Sequence, residues 1–211
     1  MLKVVNLRCE RDDKTLFTNL SFVLPPGETL YIEGCNGAGK TTLLKILSGL
    51  SQEYYGDIFW KEQYLANNYD EFRLSSYFLG HRLGLKLELT PIENLTWRHQ
   101  LSGRVASLGF SQALAQVNLQ GYEDVPCRQL SAGQQRRTAL AGLIASNASL
   151  WILDEPFSSI DAKGASWLGQ QIEHHARHHG MTLITSHQPL PQSIKKLKTL
   201  TLDHYSEACY D

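Results

Sequence analysis

Residues 34–42 read Gly34-Cys35-Asn36-Gly37-Ala38-Gly39-Lys40-Thr41-Thr42. They fit the phosphate-binding pattern Gly-x-x-x-x-Gly-Lys-Thr with no mismatch. Working outward, Thr29-Leu30-Tyr31-Ile32-Glu33 reads as a strand and Thr42-Leu43-Leu44-Lys45-Ile46-Leu47 as a helix. The motif therefore sits in the strand–loop–helix context of a P-loop. Glycines let the chain turn so that successive N–H groups point at phosphate oxygens. The helix N-terminus adds its positive end. In this reading Lys40 reaches the outer phosphates and the Thr41 hydroxyl ligates Mg²⁺. A chance glycine-rich turn would not also place Lys-Thr in register.

A P-loop alone does not separate kinases, GTPases, motors and transporter ATPases. A second segment does. Leu130-Ser131-Ala132-Gly133-Gln134-Gln135-Arg136-Arg137 opens a helical stretch that runs to about Ala145. Ser131 is a good N-cap, and Gln134 three residues on completes a capping box. Next comes Leu150-Trp151-Ile152-Leu153-Asp154-Glu155, an apolar strand ending in two carboxylates. That is a Walker B pattern, with Asp154 holding Mg²⁺ through water and Glu155 polarising the attacking water.

This set, in this order, resembles the ABC-transporter ATPase family. The resemblance runs from Leu2 to about Leu202. It makes Ser131, Ala132, Gly133 and Gln134 the signature loop, which contacts the ATP of an opposite subunit. Ser158-Ser159-Ile160-Asp161 resembles the D-loop, with Asp161 at its end. Thr182–Thr185 reads as a strand, and His187 after it matches the switch histidine. The implied cofactors are ATP and Mg²⁺. The implied partners are a second copy of the chain, in an ATP-dependent dimer, and an integral membrane subunit.

Strands are expected at Leu2–Cys9, Leu16–Leu24, Glu28–Glu33 and Gly56–Trp60. The resemblance gathers these into a mostly antiparallel β subdomain. Apolar strands at Ser76–Leu79, Ser149–Leu153 and Thr182–Thr185, separated by helices, predict a parallel α/β sheet. Phosphate loops lie at the carboxyl ends of such strands. From Thr90 to Gln129 the pattern is helical, starting at Thr90-Pro91 with Glu93 and again at Ser111, with turns at Gly109 and Gly121. The fold class is α/β: a P-loop NTPase core, an N-terminal antiparallel β subdomain and an α-helical subdomain over about residues 85–145, all within one ATP-binding domain, 1–211.

Two family positions are altered. The aromatic residue that stacks on adenine is replaced, by register, with Arg11. A guanidinium plane can also stack on a base, and Phe17 nearby is the alternative, unless it is a core residue. The glutamine loop after Ser76–Leu79 reads Gly80-His81-Arg82-Leu83-Gly84-Leu85 and lacks the Gln. Arg82 has no lone pair for Mg²⁺; His81 could contact water or phosphate.

Composition bounds the rest. The 211 residues suit one compact domain, and 42% hydrophobic content is ordinary for a globular core. A net charge of −1 gives no basic field for nucleic acid or an anionic membrane surface. No apolar run approaches the roughly 20 residues that span a bilayer, and the N-terminus does not read as a signal peptide. Nothing after Asp203 suggests a regulatory domain. Cys9, Cys35, Cys127 and Cys209 form no Cys-x-x-Cys, so neither a zinc site nor a disulfide framework is expected.

Within the family the chain resembles the ATP-binding subunits of the cytochrome c maturation system. The pieces are Asn6-Leu7-Arg8-Cys9-Glu10-Arg11, Gly80-His81-Arg82-Leu83-Gly84-Leu85-Lys86, the Gln134-Gln135-Arg136-Arg137 run and Thr185-Ser186-His187-Gln188-Pro189-Leu190. The resemblance implies a peripheral subunit on the cytoplasmic face of a bacterial inner membrane. It would power haem export or release of a haem chaperone. The alternative is another small-molecule ABC exporter. Soluble ABC factors with paired cassettes or a coiled insertion fit less well, and Lys40, Asp154, Glu155 and His187 argue against an inactive binding module. Glu173-His174-His175-Ala176-Arg177-His178-His179 places histidines at i, i+4, a spacing that can hold metal. A solvated helix end beside the C-terminal dipole is the reading favoured here, so no direct haem binding is expected.

Overall fold

The computed structural model describes residues 1–11 and 14–205. Cys209 therefore lies outside the described residues. Two sheets and a helical layer make up the molecule.

The first sheet begins with β1 (Leu2–Arg11) and β2 (Lys14–Leu24), an antiparallel pair with Leu2 opposite Leu24. Leu2, Val4, Leu7 and Cys9 of β1 all point inward. Strict alternation would put Leu7 on the wet face. The ladder slips between Val4 and Leu7, and Asn6 takes a positive φ of 49°. That bulge restores Leu7 to the core. β4 (Tyr55–Trp60) lies on the other side of β1 and carries β5 (Gln63–Tyr64) at its edge. Gly56 on β4 has φ 106°, and a Cβ there would stand 2.5 Å from the Asn6 carbonyl oxygen. Only glycine lets β4 approach the bulge this closely.

The second sheet is parallel, with strands β3 (Thr29–Glu33), β6 (Ser76–Leu79), β7 (Leu150–Asp154), β8 (Met181–Thr185) and β9 (Leu197–Thr201) in the order β6-β7-β8-β3-β9. The strand expected at Glu28–Glu33 in the antiparallel group is β3, which instead pairs in parallel with β8 and β9. Every residue of β7 and β8 is buried. Strands covered on both faces are largely apolar, which is why Leu150-Trp151-Ile152-Leu153 reads as an unbroken run, whereas β8 carries buried Thr182 and Thr185 among Met181, Leu183 and Ile184. α1 (Lys40–Leu47) follows β3 directly, and α2 (Tyr69–Ser75) precedes β6.

The helical layer is α3 (Pro91–Ser102), α4 (Phe110–Gln116) and α5 (Ala132–Ile144). α6 (Ala162–Arg177) then leads to β8. The capping box read at Ser131 is made, and the helix start read at Thr90 proves to be a second one. Thr90 Oγ1 accepts from Glu93 N at 3.2 Å, and Ser131 Oγ accepts from Gln134 N at 3.3 Å.

Two apolar cores result. One lies beneath the antiparallel sheet and joins Leu7, Phe17 and Leu20 to Leu43 and Ile46 of α1. The other lies under the helical layer and joins Leu95, Leu114 and Leu140 to Leu153, Leu168 and Ile184. Each fully buried side chain of this size stabilises the fold by about 1.5–3 kcal/mol. Ile152 of β7 belongs to the first core and Leu153 to the second. The strand that ends in Asp154 is thus clamped from both faces.

Candidate nucleotide site

The site grows from the carboxyl ends of four neighbouring strands. β3 runs into the phosphate loop, β6 into Gly80-His81, β7 ends at Asp154, and β8 leads to Ser186-His187. Their parallel registers bring residues far apart in sequence to one edge. A cavity of about 790 Å³ opens there. Asn36, Gly37, Gly39, Lys40, Thr41 and Thr42 line it, with Arg11, His81, Asp154, Glu155 and His187. Lys14 and Leu16 of β2, which no motif marks, complete the wall. Ala38 is fully buried behind the loop.

Gly37 and Gly39 have φ of 90° and 94°. Side chains rarely adopt this left-handed region, so this loop uses glycine at both, one of them a position the pattern leaves free. Lys40 Nζ curls back and donates to the Gly34 carbonyl at 2.6 Å and the Cys35 carbonyl at 2.9 Å. The ammonium is thereby held over the loop. The first turn of α1 has no side-chain cap, so its free N–H groups are available to an anion.

Asp154 is buried, and both carboxylate oxygens accept from hydroxyls. Thr41 Oγ1 donates at 2.9 Å and Thr185 Oγ1 at 2.8 Å. Thr41 and Asp154 are hard oxygen donors side by side, of the kind Mg²⁺ takes together with phosphate oxygens and water. The residues present fit that ion. Glu155 stands next to them with φ 52°. Its N–H donates to Thr185 Oγ1 at 3.1 Å, and one carboxylate oxygen accepts from His187 N at 2.9 Å. The other lies 3.5 Å from His187 Nε2. A carboxylate and an imidazole thus face the same opening.

Of the pair after β6, His81 lines the cavity and Arg82 does not. The loop they share is tied to α3. Asn94, fully buried, accepts from Lys86 N at 2.8 Å and donates to Lys86 O at 2.9 Å, and Arg98 donates to Leu83 O at 3.0 Å. Arg11 reaches the cavity while pairing at 3.5 Å with Glu53. Phe17, the alternative for adenine stacking, is fully buried in the core.

Ser131, Ala132, Gly133, Gln134 and Asp161 stand apart from this cavity. Ser131 and Ala132 are exposed. Gln134 is used locally, its Oε1 accepting from Ser131 N at 2.9 Å. A Cβ on Gly133 would sit 3.3 Å from the Ser159 carbonyl oxygen, so the signature turn packs on the loop that ends at Asp161. Asp161 caps α6 through Gly164 N at 3.1 Å and pairs with Arg137 at 3.1 Å. The bond from Gly164 and then the Arg137 charge hold its carboxyl below the usual range.

The histidine run divides. His174 and His178 stack at the helix end with centroids 4.2 Å apart. His175 turns inward and stacks on Trp151, centroids 3.9 Å apart and rings within 4° of parallel. Burial lowers its pKa to about 4. The expectation of a solvated end therefore fails at His175, because it closes over the start of β7. Among the described residues no cluster of three or more His, Cys, Asp or Glu side chains could hold a metal. Cys9 and Cys127 are buried free thiols.

Residues given no role in the sequence reading also matter here. Thr185 bridges Asp154 and Glu155, and buried Arg136 reaches the same turn. A hydroxyl ending an apolar strand beside the Walker B strand was the only available signal for Thr185.

Comparison with known proteins fits this geometry. The ABC transporter family model matches residues 17–158. The cytochrome c biogenesis ATP-binding export protein CcmA of Escherichia coli strain K12 is 46% identical over 202 residues, covering 96% of each chain. The protein of the same name from Yersinia pestis is 47% identical over 207 residues, covering 98% of this chain and 95% of that one. A dimeric bacterial ABC transporter cassette superposes with a TM-score of 0.82 at 21% identity, over 96% of this chain and 95% of that one. A dimeric post-hydrolysis cassette bound to ADP and Pi gives 0.78 with the same identity and coverage. At such identity these two bear on the fold alone.

Proposed function

The chain belongs to the ABC transporter ATP-binding family, and from that premise we propose that it is the ATP-hydrolysing subunit of a membrane complex for c-type cytochrome biogenesis. The observation that carries the enzymatic half is the convergence of Lys40, Thr41, Asp154, Glu155 and His187 on one cavity. The similarity to export proteins named for cytochrome c biogenesis supports the biological half.

The phosphate loop and the start of α1 bind the triphosphate, with Lys40 on its outer phosphates. Arg11 lies at the mouth, where a base can stack on its guanidinium. Thr41, and Asp154 through water, would hold Mg²⁺, which when bound neutralises charge on the phosphates. Glu155 accepts hydrogen-bonding from the attacking water and polarises it. His187 orients that water and the γ-phosphate. His81 takes the place of the absent glutamine, since it alone of the pair offers a lone pair to the cavity.

The signature loop serves a different copy. Ser131 and Gly133 offer donors to the γ-phosphate bound by an opposite subunit, and α5 adds its dipole. The active form is thus an ATP-bridged dimer.

A membrane subunit seats in a groove of about 330 Å³ lined by Tyr77, Trp97, Arg98, Leu101, Arg104 and Phe110. Arg98 joins that groove to the loop bearing His81, so pressure there reaches the nucleotide. Among the described residues no helix is long and apolar enough to cross a membrane. The subunit is peripheral, on the cytoplasmic face of a bacterial inner membrane. Its contribution is ATP energy, spent on haem export or on release of a haem chaperone.

Replacing the chromosomal copy with Lys40→Ala and staining cell extracts for covalent haem tests this. Covalent haem in c-type cytochromes should be lost while b-type haem proteins stay normal. Normal c-type staining would sink the cytochrome assignment and leave an exporter of another solute.

A further inference from the structure

We propose that Arg136 is a positioning residue for Glu155, holding the turn from which that carboxylate projects. This rests on the reading of Glu155 as the group that polarises water.

Arg136 lies on α5, about one turn beyond the exposed Ser131. Its side chain points inward and is only 3% exposed. A buried guanidinium needs several acceptors, because it keeps its charge and can shed no proton. It finds them in the main chain of the turn after β7. Nε donates to the Pro156 carbonyl at 3.3 Å, and an Nη donates to the Glu155 carbonyl. No motif of the family reading gives it this task.

The turn needs such support. Glu155 sits in the left-handed region, φ 52°, which a residue with a side chain keeps only when its surroundings fix it. Both flanking peptides are fixed. On the N-terminal side, Glu155 N donates to Thr185 Oγ1 at 3.1 Å. On the C-terminal side, the Glu155 carbonyl accepts from Ser158 N at 3.2 Å, Ser158 Oγ at 2.9 Å and Arg136. With both planes set, the direction of the side chain is set. Its carboxylate then meets His187 N at 2.9 Å.

Arg136 is the member of this set that comes from the helical layer. It links the helix whose first turn faces outward to the backbone of the proposed base. Movement of α5 when Ser131 engages a second copy would therefore be transmitted to Glu155.

The test uses the full chain and compares Arg136→Gln, Arg136→Lys and Glu155→Gln, singly and with Arg136→Gln and Glu155→Gln combined. ATPase kinetics and binding of a fluorescent ATP analogue are read together, with thermal melting to confirm folding. Misplacing a reacting group by about 1 Å costs on the order of a hundredfold in rate. Arg136→Gln should lower kcat by that order while KM and analogue affinity stay within about twofold. Arg136→Lys, which keeps the charge and can serve one carbonyl, should fall between, and it carries the test if the Gln variant does not fold. In the Glu155→Gln background Arg136→Gln should cause no further loss, because it acts through a group already removed. Unchanged kcat in a folded Arg136→Gln chain, with Glu155→Gln inactive, overturns the inference and spares the reading of Glu155. So do multiplicative losses in the double variant, or equal losses in ATP affinity. Full turnover by Glu155→Gln instead overturns the reading beneath it.

Discussion

The cavity wall and the outer end of α5 treat their polar groups in opposite ways. In the wall, hydrogen bonds join residues distant in sequence: Thr41 to Asp154, Thr185 to Asp154, and His187 to Glu155. At the end of α5, Ser131 and Gln134 bond to each other across three residues. On the proposed function the wall is a finished surface for a polyphosphate. The helix end is locally satisfied yet exposed, with nothing of its own cavity to act on. This contrast is what the proposed dimer needs: one chain holds the proposed nucleotide site and offers its helix end to close another.

The sharpest break of that contrast is Glu155→Gln. Loss of general-base assistance typically costs about 10²- to 10⁴-fold in rate. Steady-state ATPase should fall by that order while ATP still binds. Wild-type turnover would remove Glu155 from the wall's chemistry. Ser131→Arg attacks the other region. It should abolish the ATP-bound dimer formed by the Glu155→Gln chain, seen as a return to monomer on size exclusion, while leaving ATP binding intact. If dimer persists, the exposed turn is not the closing surface.

His175 separates the scaffold from both regions. Its folded pKa is about 4 against an ordinary 6.5. The unfolded chain therefore binds the extra proton between those values. Stability is fully present above about pH 6.5 and declines as pH falls toward 4, by up to about 3 kcal/mol. His175→Phe keeps a ring on Trp151 and removes the titration. Denaturant midpoints should then vary less over that window; an unaltered pH slope would show that other groups carry it. The smallest effect belongs to the cap. Ser131→Ala should cost about 1 kcal/mol of stability, read as a lower denaturant midpoint, and an unchanged midpoint would mean the capping box adds nothing.

The same contrast explains what the sequence makes legible. A P-loop, a Walker B strand and two capping boxes carry their chemistry within a few neighbouring residues. Each can be read from one short segment, and the parallel sheet follows from the short, mostly apolar strands β7 and β8 set between helices. Thr185 and Arg136 are different. Their importance comes from the order β6-β7-β8-β3-β9, which puts β8 beside β7 and α5 over the turn that follows. No local pattern encodes that adjacency. The edge strand β9 was also missed, because its exposed, polar Leu197–Thr201 lacks the apolar run of its neighbours. α2 escaped for its length, seven residues with only Phe72 buried. His175 misled because i, i+4 spacing identifies a helix face without telling what covers it.

The central claim is that a working site takes its phosphate loop from one copy and its signature turn from another. Mixing two inactive chains tests it. Lys40→Ala spoils the phosphate loop and spares the signature; Ser131→Arg does the reverse. Each alone should be inactive. In a mixed dimer the intact loop of one chain faces the intact turn of the other. Random pairing of equal amounts makes half the dimers mixed, with one sound site in two. ATPase activity should therefore return to about a quarter of the wild-type value, as two-fold symmetry requires. No recovery in a mixture shown to contain mixed dimers would contradict the account.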